Sequence, residues 1–282
     1  MTETNALPIR ARRIHFDYPE GGLQRHYVQG DLLMSHIIAY LSATFPEGED
    51  FFVRSVRRHA DRVTDPVLKD QVKGFIGQEV THSREHVALN ERLQEMGYPT
   101  GFNDRMTARA LARDERLFSP LTCLAMTAAL EHFTAVLAES LLGDEDAQAL
   151  LGSTEVRKML LWHAYEESEH RAVAFDVYRA VGGTERRRIW TMRMVTLTFF
   201  GSVVVFTTLS LLRDRSTYNP VRLVRSLWAL RRSPFLKRSL RRRLRQYNKV
   251  GFHPNDVDNT ALLERWRPEL FGETGQLVAN MA

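Results

Sequence analysis

The sequence predicts an all-α protein, a four-helix bundle followed by an apolar and then basic helical extension. Apolar residues recur at intervals of three and four along most of the chain, as amphipathic helices require. No alternating run of β-branched residues is closed by an Asn-Gly or Asp-Gly turn, so strand signals are scarce. Proline, glycine and aspartate clusters cut the periodic stretches into segments the length of single long helices.

A first helix runs through GDLLMSHIIAYLSATF, and Pro46 is expected to interrupt it because proline has no N–H to donate inside a helix. A new helical turn can begin at that proline and continue as EDFFVRSVRRHADRV until Thr64-Asp65-Pro66. The second long helix covers roughly 66–96 and ends at Gly97-Tyr98-Pro99. The polar stretch 100–119 is too long for a hairpin turn and reads as a crossover with a short helix in MTARALARDERL. A third long helix spans about 120–142 and stops at Gly143-Asp144. After a short helical piece and Gly152-Ser153, a fourth runs from about 154 to 181, closed by Gly182-Gly183. Residues 1–185 are thus expected to form the bundle with its N-terminal arm. Residues 186–282 form the extension, with an apolar helix over 189–212, a basic segment over 213–249 and a polar tail.

With 282 residues, 44% of them apolar, the chain can bury a substantial core. Cys123 is the only cysteine, which excludes an intramolecular disulfide and a cysteine-built zinc site and fits a reducing, cytosolic compartment. The opening MTETNALPIRARRIHF has no apolar run of secretory length and reads as mature protein. The net charge of +5 hides a division: residues 213–249 hold eleven Arg and two Lys against the single acid Asp214, a local +12, so the rest of the chain sums to −7.

Two Glu-x-x-His pairs occur, Glu79 with His82 and Glu167 with His170. On a helix this spacing sets carboxylate and imidazole on one face, one turn apart, where they can chelate one metal or reach a second. Independent placement yields about 0.7 such pairs by chance, so the weight falls on where they stand. Glu49 precedes Glu79 by 30 residues, and their midpoint falls on the turn at Thr64-Asp65-Pro66; a hairpin folded there brings both carboxylates to one height. Glu131 precedes Glu167 by 36, with the midpoint between Gly143 and Gly152. Two such hairpins joined by a long crossover make a ferritin-like bundle, whose dinuclear sites take one Glu from each of two helices and Glu-x-x-His from the other two. Glu49 shares its face with Phe52, Val53, Val56 and Ala60 and so points inward, whereas Glu47 faces Arg54 and Arg58. Glu131 lies among Leu124, Thr127, Ala128, Ala135 and Ala138, small residues that leave room beside a metal.

His163 adds a third imidazole, giving His-x-x-x-Glu-x-x-His on one face and two unequal metal positions. This order is similar to that of the para-aminobenzoate N-oxygenase group of di-iron enzymes. The wording FPEGEDFF, QEVTHSREH and WHAYEESEHRAVAFDVY resembles, over roughly residues 10–250, a bacterial family of predicted metal-dependent hydrolases. The candidate metal ligands are therefore Glu49, Glu79, His82, Glu131, His163, Glu167 and His170. The bland alternative is a set of surface ion pairs on ordinary helices, and for His163 a hydrogen-bonding role behind the ligands. The neighbours Glu85, His86, His132, Glu166, Glu169 and Asp176 are expected to support or face solvent rather than ligate.

Carboxylates with a minority of imidazoles suit two iron ions, with manganese as the other fitting metal. The expected activity is O2-dependent oxidation of an organic or lipid-like substrate, with an external electron donor. The alternatives are hydrolysis by a metal-activated water and, as a non-enzymatic role, iron oxidation and storage in a larger oligomer. Met194–Leu212 carries no charge over 19 residues but is flanked by arginine at both ends, which gives a simple membrane span no orientation. It reads either as a helix buried along the bundle or as one lying in a membrane surface, held to anionic lipid by RRSPFLKRSLRRRLRQYNK. Apolar residues interleaved with these arginines, such as Trp228, Phe235, Leu240 and Leu244, disfavour nucleic acid as the partner.

Overall fold

The computed structural model describes residues 9–281; residues 1–8, half of the stretch read above as a mature start, lie outside the described residues. Among the described residues there are eleven α-helices and no β-strand, only an isolated bridge between Ile14 and Met281. The helices are α1 (Leu32–Ala60), α2 (Pro66–Glu95), α3 (Thr100–Leu117), α4 (Pro120–Gly143), α5 (Glu145–Leu150), α6 (Glu155–His170), α7 (Val173–Ala180), α8 (Glu185–Leu211), α9 (Pro220–Arg231), α10 (Arg238–Gln246) and α11 (Thr260–Phe271). The all-α class is as the apolar periodicity predicts.

Local chemistry fixes most of the ends. Asp31, Asp65, Ser119, Thr154 and Thr184 stand at N-caps, each side chain accepting a hydrogen bond from a first-turn N–H. Pro66 and Pro120 follow at the start of their helices, where the missing N–H has no intrahelical partner to lose. Gly97 reverses the chain after α2 at φ +90°, a conformation that a β-carbon would strain.

Three expectations need correction. Pro46 does not interrupt the first helix, and α1 runs unbroken for 29 residues. The proline leaves the Ser42 carbonyl without its helical donor, and Asn90 Nδ2 from α2 takes that place at 2.9 Å. The fourth long helix is two, since α6 ends at His170 and a turn at Arg171–Ala172 precedes α7. Neither glycine nor proline announces that break; Arg171 turns inward there to pair with Glu139 on α4 at 2.6 Å. The crossover is helical from Thr100 rather than from Met106, because Thr100 Oγ1 donates to the Asn90 carbonyl and Gln94 Oε1 accepts from Gly101 N–H.

α1 and α2 form a hairpin, α4 packs against α6 and α7, α2 against α6 and α7, and α1 against α4; α3 lies along α1. α8 lies on α1 and α4, α9 on α1, α10 on α4, and α11 on α6 and α4. One apolar cluster holds Phe51, Phe75 and Phe133 and reaches Met192, Leu244 and Phe252. A second holds Leu89, Trp162 and Tyr165 and reaches Leu263, Trp266 and Leu270, and a small third joins Leu32 and Leu33 to Leu211. Residues beyond 185 therefore share the core of the preceding helices. The N-terminal arm runs along α2 where glycines leave room. A β-carbon on Gly74 would collide with the Ile9 carbonyl oxygen, and one on Gly77 would come within 2.9 Å of the Ala11 β-carbon. That seating delivers Arg12 to α6.

Candidate metal centre

Glu49 comes from α1, Glu79 and His82 from α2, Glu131 from α4, and His163, Glu167 and His170 from α6. All seven predicted residues are at most 4% exposed, and the structure brings all seven together. The spacing does this locally: three- and four-residue steps keep each helix's donors on its inner face, beside the core residues that bury it.

The donors form two groups. Glu49, His82 and His163 each offer an atom within 4.8 Å of the others, and so do Glu79, Glu167 and His170. Two carboxylates lie between them. Glu167 Oε1 is 3.0 Å from His163 Nε2 and 3.6 Å from His170 Nε2. Glu79 sets Oε1 3.1 Å from His170 Nε2 and Oε2 4.0 Å from His82 Nδ1. The ends are closed by Glu49, 3.7 Å from His163 Nε2, and by Glu131, 3.3 Å from His170 Nε2. The His82 and His170 rings are 5.9 Å apart, a separation that two neighbouring ions can share.

Outer hydrogen bonds assign the lone pairs. His170 Nδ1–H donates to Gln78 Oε1 at 2.8 Å, leaving Nε2 free to face the carboxylates. His82 Nε2–H donates to Glu166 Oε2 at 3.0 Å, leaving Nδ1 free. For His163 the polarity comes through a relay. Ser42 Oγ–H donates to Asn90 Oδ1 at 2.7 Å, so Ser42 accepts from His86 Nδ1–H at 2.9 Å. His86 Nε2 then accepts from His163 Nδ1–H at 2.8 Å, so that in the neutral ring His163 Nε2 carries the lone pair and faces Glu167 Oε1, 3.0 Å away, and Glu49. Arg12 closes the outer layer, donating to Glu166 at 2.8 Å and twice to Glu169 at 2.7 Å, while Gln78 Nε2 donates to Glu169 at 2.8 Å. One guanidinium thus links the supports of His82 and His170.

The inner face is left without partners. Both oxygens of Glu49, Glu79 and Glu131, Glu167 Oε2, His82 Nδ1 and His170 Nε2 are buried and make no hydrogen bond. Buried polar atoms are rarely left so, and carboxylate oxygens with a few imidazole nitrogens are the donor types that a carboxylate-rich metal site uses. The electrostatics agree. Burial, then the charges of Glu79, Glu167 and Glu131, push Glu49 well above the usual carboxylate range. Burial and Glu131 do the same to Glu79, and burial and Glu167 raise Glu131 to about 7. Burial disfavours charge on Glu167 and His170 too, but their mutual attraction prevails, holding Glu167 low and His170 high. Burial and His163 keep His82 neutral. Four carboxylates cannot all ionise in so small a space without cations, and two divalent ions would balance them.

A family model described as predicted metal-dependent hydrolase matches residues 10–258. The chain belongs to this family. Searches of curated proteins and of solved structures found no match. That description agrees with the resemblance seen in the wording around the motifs, and the two groups of buried His and Glu could hold a metal.

Sequence reasoning missed Arg12, Ser42, Gln78 and Asn90, since no local spacing ties them to the motifs. The expected supporting residues divide. Glu166, Glu169 and His86 stand directly behind the donors. Glu85 accepts from Phe16 N–H, His132 Nε2 meets the Arg243 carbonyl, and Asp176 pairs with His253. A further cluster, His26, His36 and Asp214, was not foreseen. There both Nε2 atoms meet Asp214 Oδ2 at 3.0 and 3.2 Å, Arg25 also donates to it, and Arg222 donates to His26 Nδ1. With the ring protons turned to Asp214 and two guanidinium groups adjoining, the cluster is a hydrogen-bonded tie between α1 and the end of α8.

Proposed function

We propose that the chain is a dinuclear metalloenzyme acting as a hydrolase, the activity that its family description names. The observation that carries the metal pair is the set of buried, unpartnered donors from four helices. Glu49, His82 and His163 would hold one ion and Glu131 and His170 the other, with Glu79 and Glu167 reaching both. Such a pair lowers the pKa of water and stabilises charge on an attacked substrate. The chain's own part is to set the imidazole lone pairs through Gln78, Glu166 and His86, and to keep bulk water out with Phe45, Phe75 and Trp162, whose rings lie 4.8–5.0 Å from those of His163, His170 and His82. The finer architecture we read as a ferritin-like four-helix bundle. One Glu from each of α1 and α4, Glu-x-x-His from α2 and α6, and the α3 crossover support it.

A second reading has its own observation. The donors are carboxylate oxygen and imidazole nitrogen alone, with four carboxylates, a set that suits two iron or manganese ions and O2-dependent oxidation of an organic substrate, fed by an electron donor. One experiment separates the two. Metal analysis is expected to give two ions per chain, and zinc- or manganese-loaded protein to cleave members of an ester and phosphoester panel. O2 uptake by iron-loaded, reduced protein, with no cleavage under any loading, would move the assignment to the second reading. Less than one ion per chain would remove both.

A further inference from the structure

Two helices are long and apolar enough to cross a membrane, and they are used differently. The most apolar window of α4 is 78% buried, as befits a core helix, whereas that of α8 is 22% buried. One side of α8 is fastened to the protein through Thr191, Met192, Val195, Thr207, Ser210 and Leu211. Both ends are tied down as well. Arg188 donates to the Lys249 carbonyl at 2.7 Å, and Asp214, just past the other end, accepts from His26 and His36. The helix therefore lies flat on α1 and α4 and cannot stand across a bilayer without leaving the fold.

Its other side is apolar and bare. Leu197, Phe200, the adjacent Val204 and Val205, Leu209 and Leu212 recur at three- and four-residue steps, with Leu197 77% and Val204 66% exposed. This stripe runs about 22 Å without a charge. α9, also packed on α1, exposes Val221, Val224, Leu227 and Trp228. Exposed arginines border both: Arg193 on α8, Arg213 and Arg215 after it, and Arg225 and Arg231 on α9. Arg232 lies 4.2 Å over the Trp228 ring.

We propose that α8 and α9 form a docking surface for an anionic lipid bilayer, lying in its interface with the apolar stripe inserted and the arginines at headgroup level. Charge complementarity selects this occupant. A second copy of the chain would set one arginine border against another. Nucleic acid would match the arginines but leave the apolar stripe against a phosphate backbone. The inference does not depend on the metal chemistry.

The test is sedimentation of the full chain with vesicles of phosphatidylcholine alone or mixed with phosphatidylglycerol. Binding is expected to the mixed vesicles only and to weaken with salt. Arg225→Gln with Arg231→Gln is expected to lower partitioning about 25-fold, roughly fivefold per arginine. Leu197→Asp with Val204→Asp is expected to abolish it while leaving the melting temperature near that of the parent. Native fluorescence covers the case in which a variant misfolds. Trp190 and Trp228 are half-exposed on this surface whereas Trp162 and Trp266 are buried, so brominated lipid is expected to quench part of the emission of the unmodified protein. Equal binding to neutral vesicles, or none to either, overturns the proposal. So does a salt-dependent shift with duplex DNA, or a dimer dissolved by Leu197→Asp, if vesicle binding is absent.

Discussion

Arg12→Met tests whether one cation outside the metal pocket supports both ions. Arg12 makes three charge-assisted hydrogen bonds, one to Glu166 and two to Glu169, at 2.7–2.8 Å, and its side chain is 17% exposed. Its loss leaves Glu166, which is fully buried, held only by His82 Nε2–H. Removing one partner of a buried pair costs about 3–5 kcal/mol, and the partial exposure of Arg12 places this case near about 3 kcal/mol. The effect on metal is the sharper readout. Loss of an outer hydrogen-bonding partner typically lowers affinity about 10–100-fold. Because Glu166 supports His82 while Glu169 supports Gln78 and through it His170, both binding steps are expected to weaken. Glu166→Gln should weaken mainly the step at His82, and Gln78→Leu mainly the step at His170. Competition titration with a chromophoric chelator resolves the two steps. A destabilised Arg12→Met that keeps both dissociation constants, or loses only one, would refute the idea of a shared clamp.

Glu167→Gln removes one of the two carboxylates lying between the donor groups and is expected to reduce metal analysis from two ions per chain to one or fewer, whereas Glu47→Gln should leave it unchanged. Metal loading near neutral pH should release protons, from Glu49, Glu79, His170 and part of Glu131, measurable by calorimetry in buffers of different ionisation enthalpy. The sign follows: carboxyls raised in the empty fold, with Glu131 at about 7, hold protons that the unfolded chain has lost, so the metal-free protein should lose stability as pH rises from about 6.5 through about 7 while metal affinity increases. In that window His82 and His86 do not oppose it, since a histidine held neutral in the fold costs stability only below its ordinary value of 6.5. Asn90→Leu, which orphans the Ser42 carbonyl and frees its hydroxyl, is expected to cost about 1–3 kcal/mol in denaturant melts and to weaken the His163-side ion more than the other.

The parts of this protein legible in its sequence are those governed by short-range periodicity. Helical steps of three and four aligned Glu79 with His82 and His163 with Glu167 and His170, and the turn at Thr64-Asp65-Pro66 set Glu49 opposite Glu79. All seven residues meet because helix geometry is nearly invariant once a segment is helical. What spacing cannot carry is contact across large separations. Arg12 and Glu166 are 154 positions apart, and nothing local marks an arginine in an extended arm as their link. The break after His170 was equally silent, because it rests on where Arg171 finds Glu139. The proline at 46 misled for a related reason: a helix breaker is judged by the hydrogen bond it removes, and the replacement donor sits on another helix.

That replacement ties the fold to the site. Asn90 has one amide, and its two ends do different work: Nδ2–H fills the vacancy that Pro46 leaves at the Ser42 carbonyl, and Oδ1 takes the Ser42 hydroxyl proton. Were the amide turned over, an N–H would point at that hydroxyl, which would then donate to His86 Nδ1. His86 would carry its proton on Nε2, donate to His163 Nδ1, and leave the proton of His163 on Nε2, facing Glu49 and Glu167. A neutral imidazole with its proton on that side cannot ligate. With an ordinary residue at 46, the Ser42 carbonyl would have its helical donor and the amide would lose the bond that fixes its sense. The missing N–H of Pro46 thus sets the direction of a relay that ends at the lone pair of His163, and what reads in isolation as a helix defect becomes part of the reason that this imidazole can face a metal.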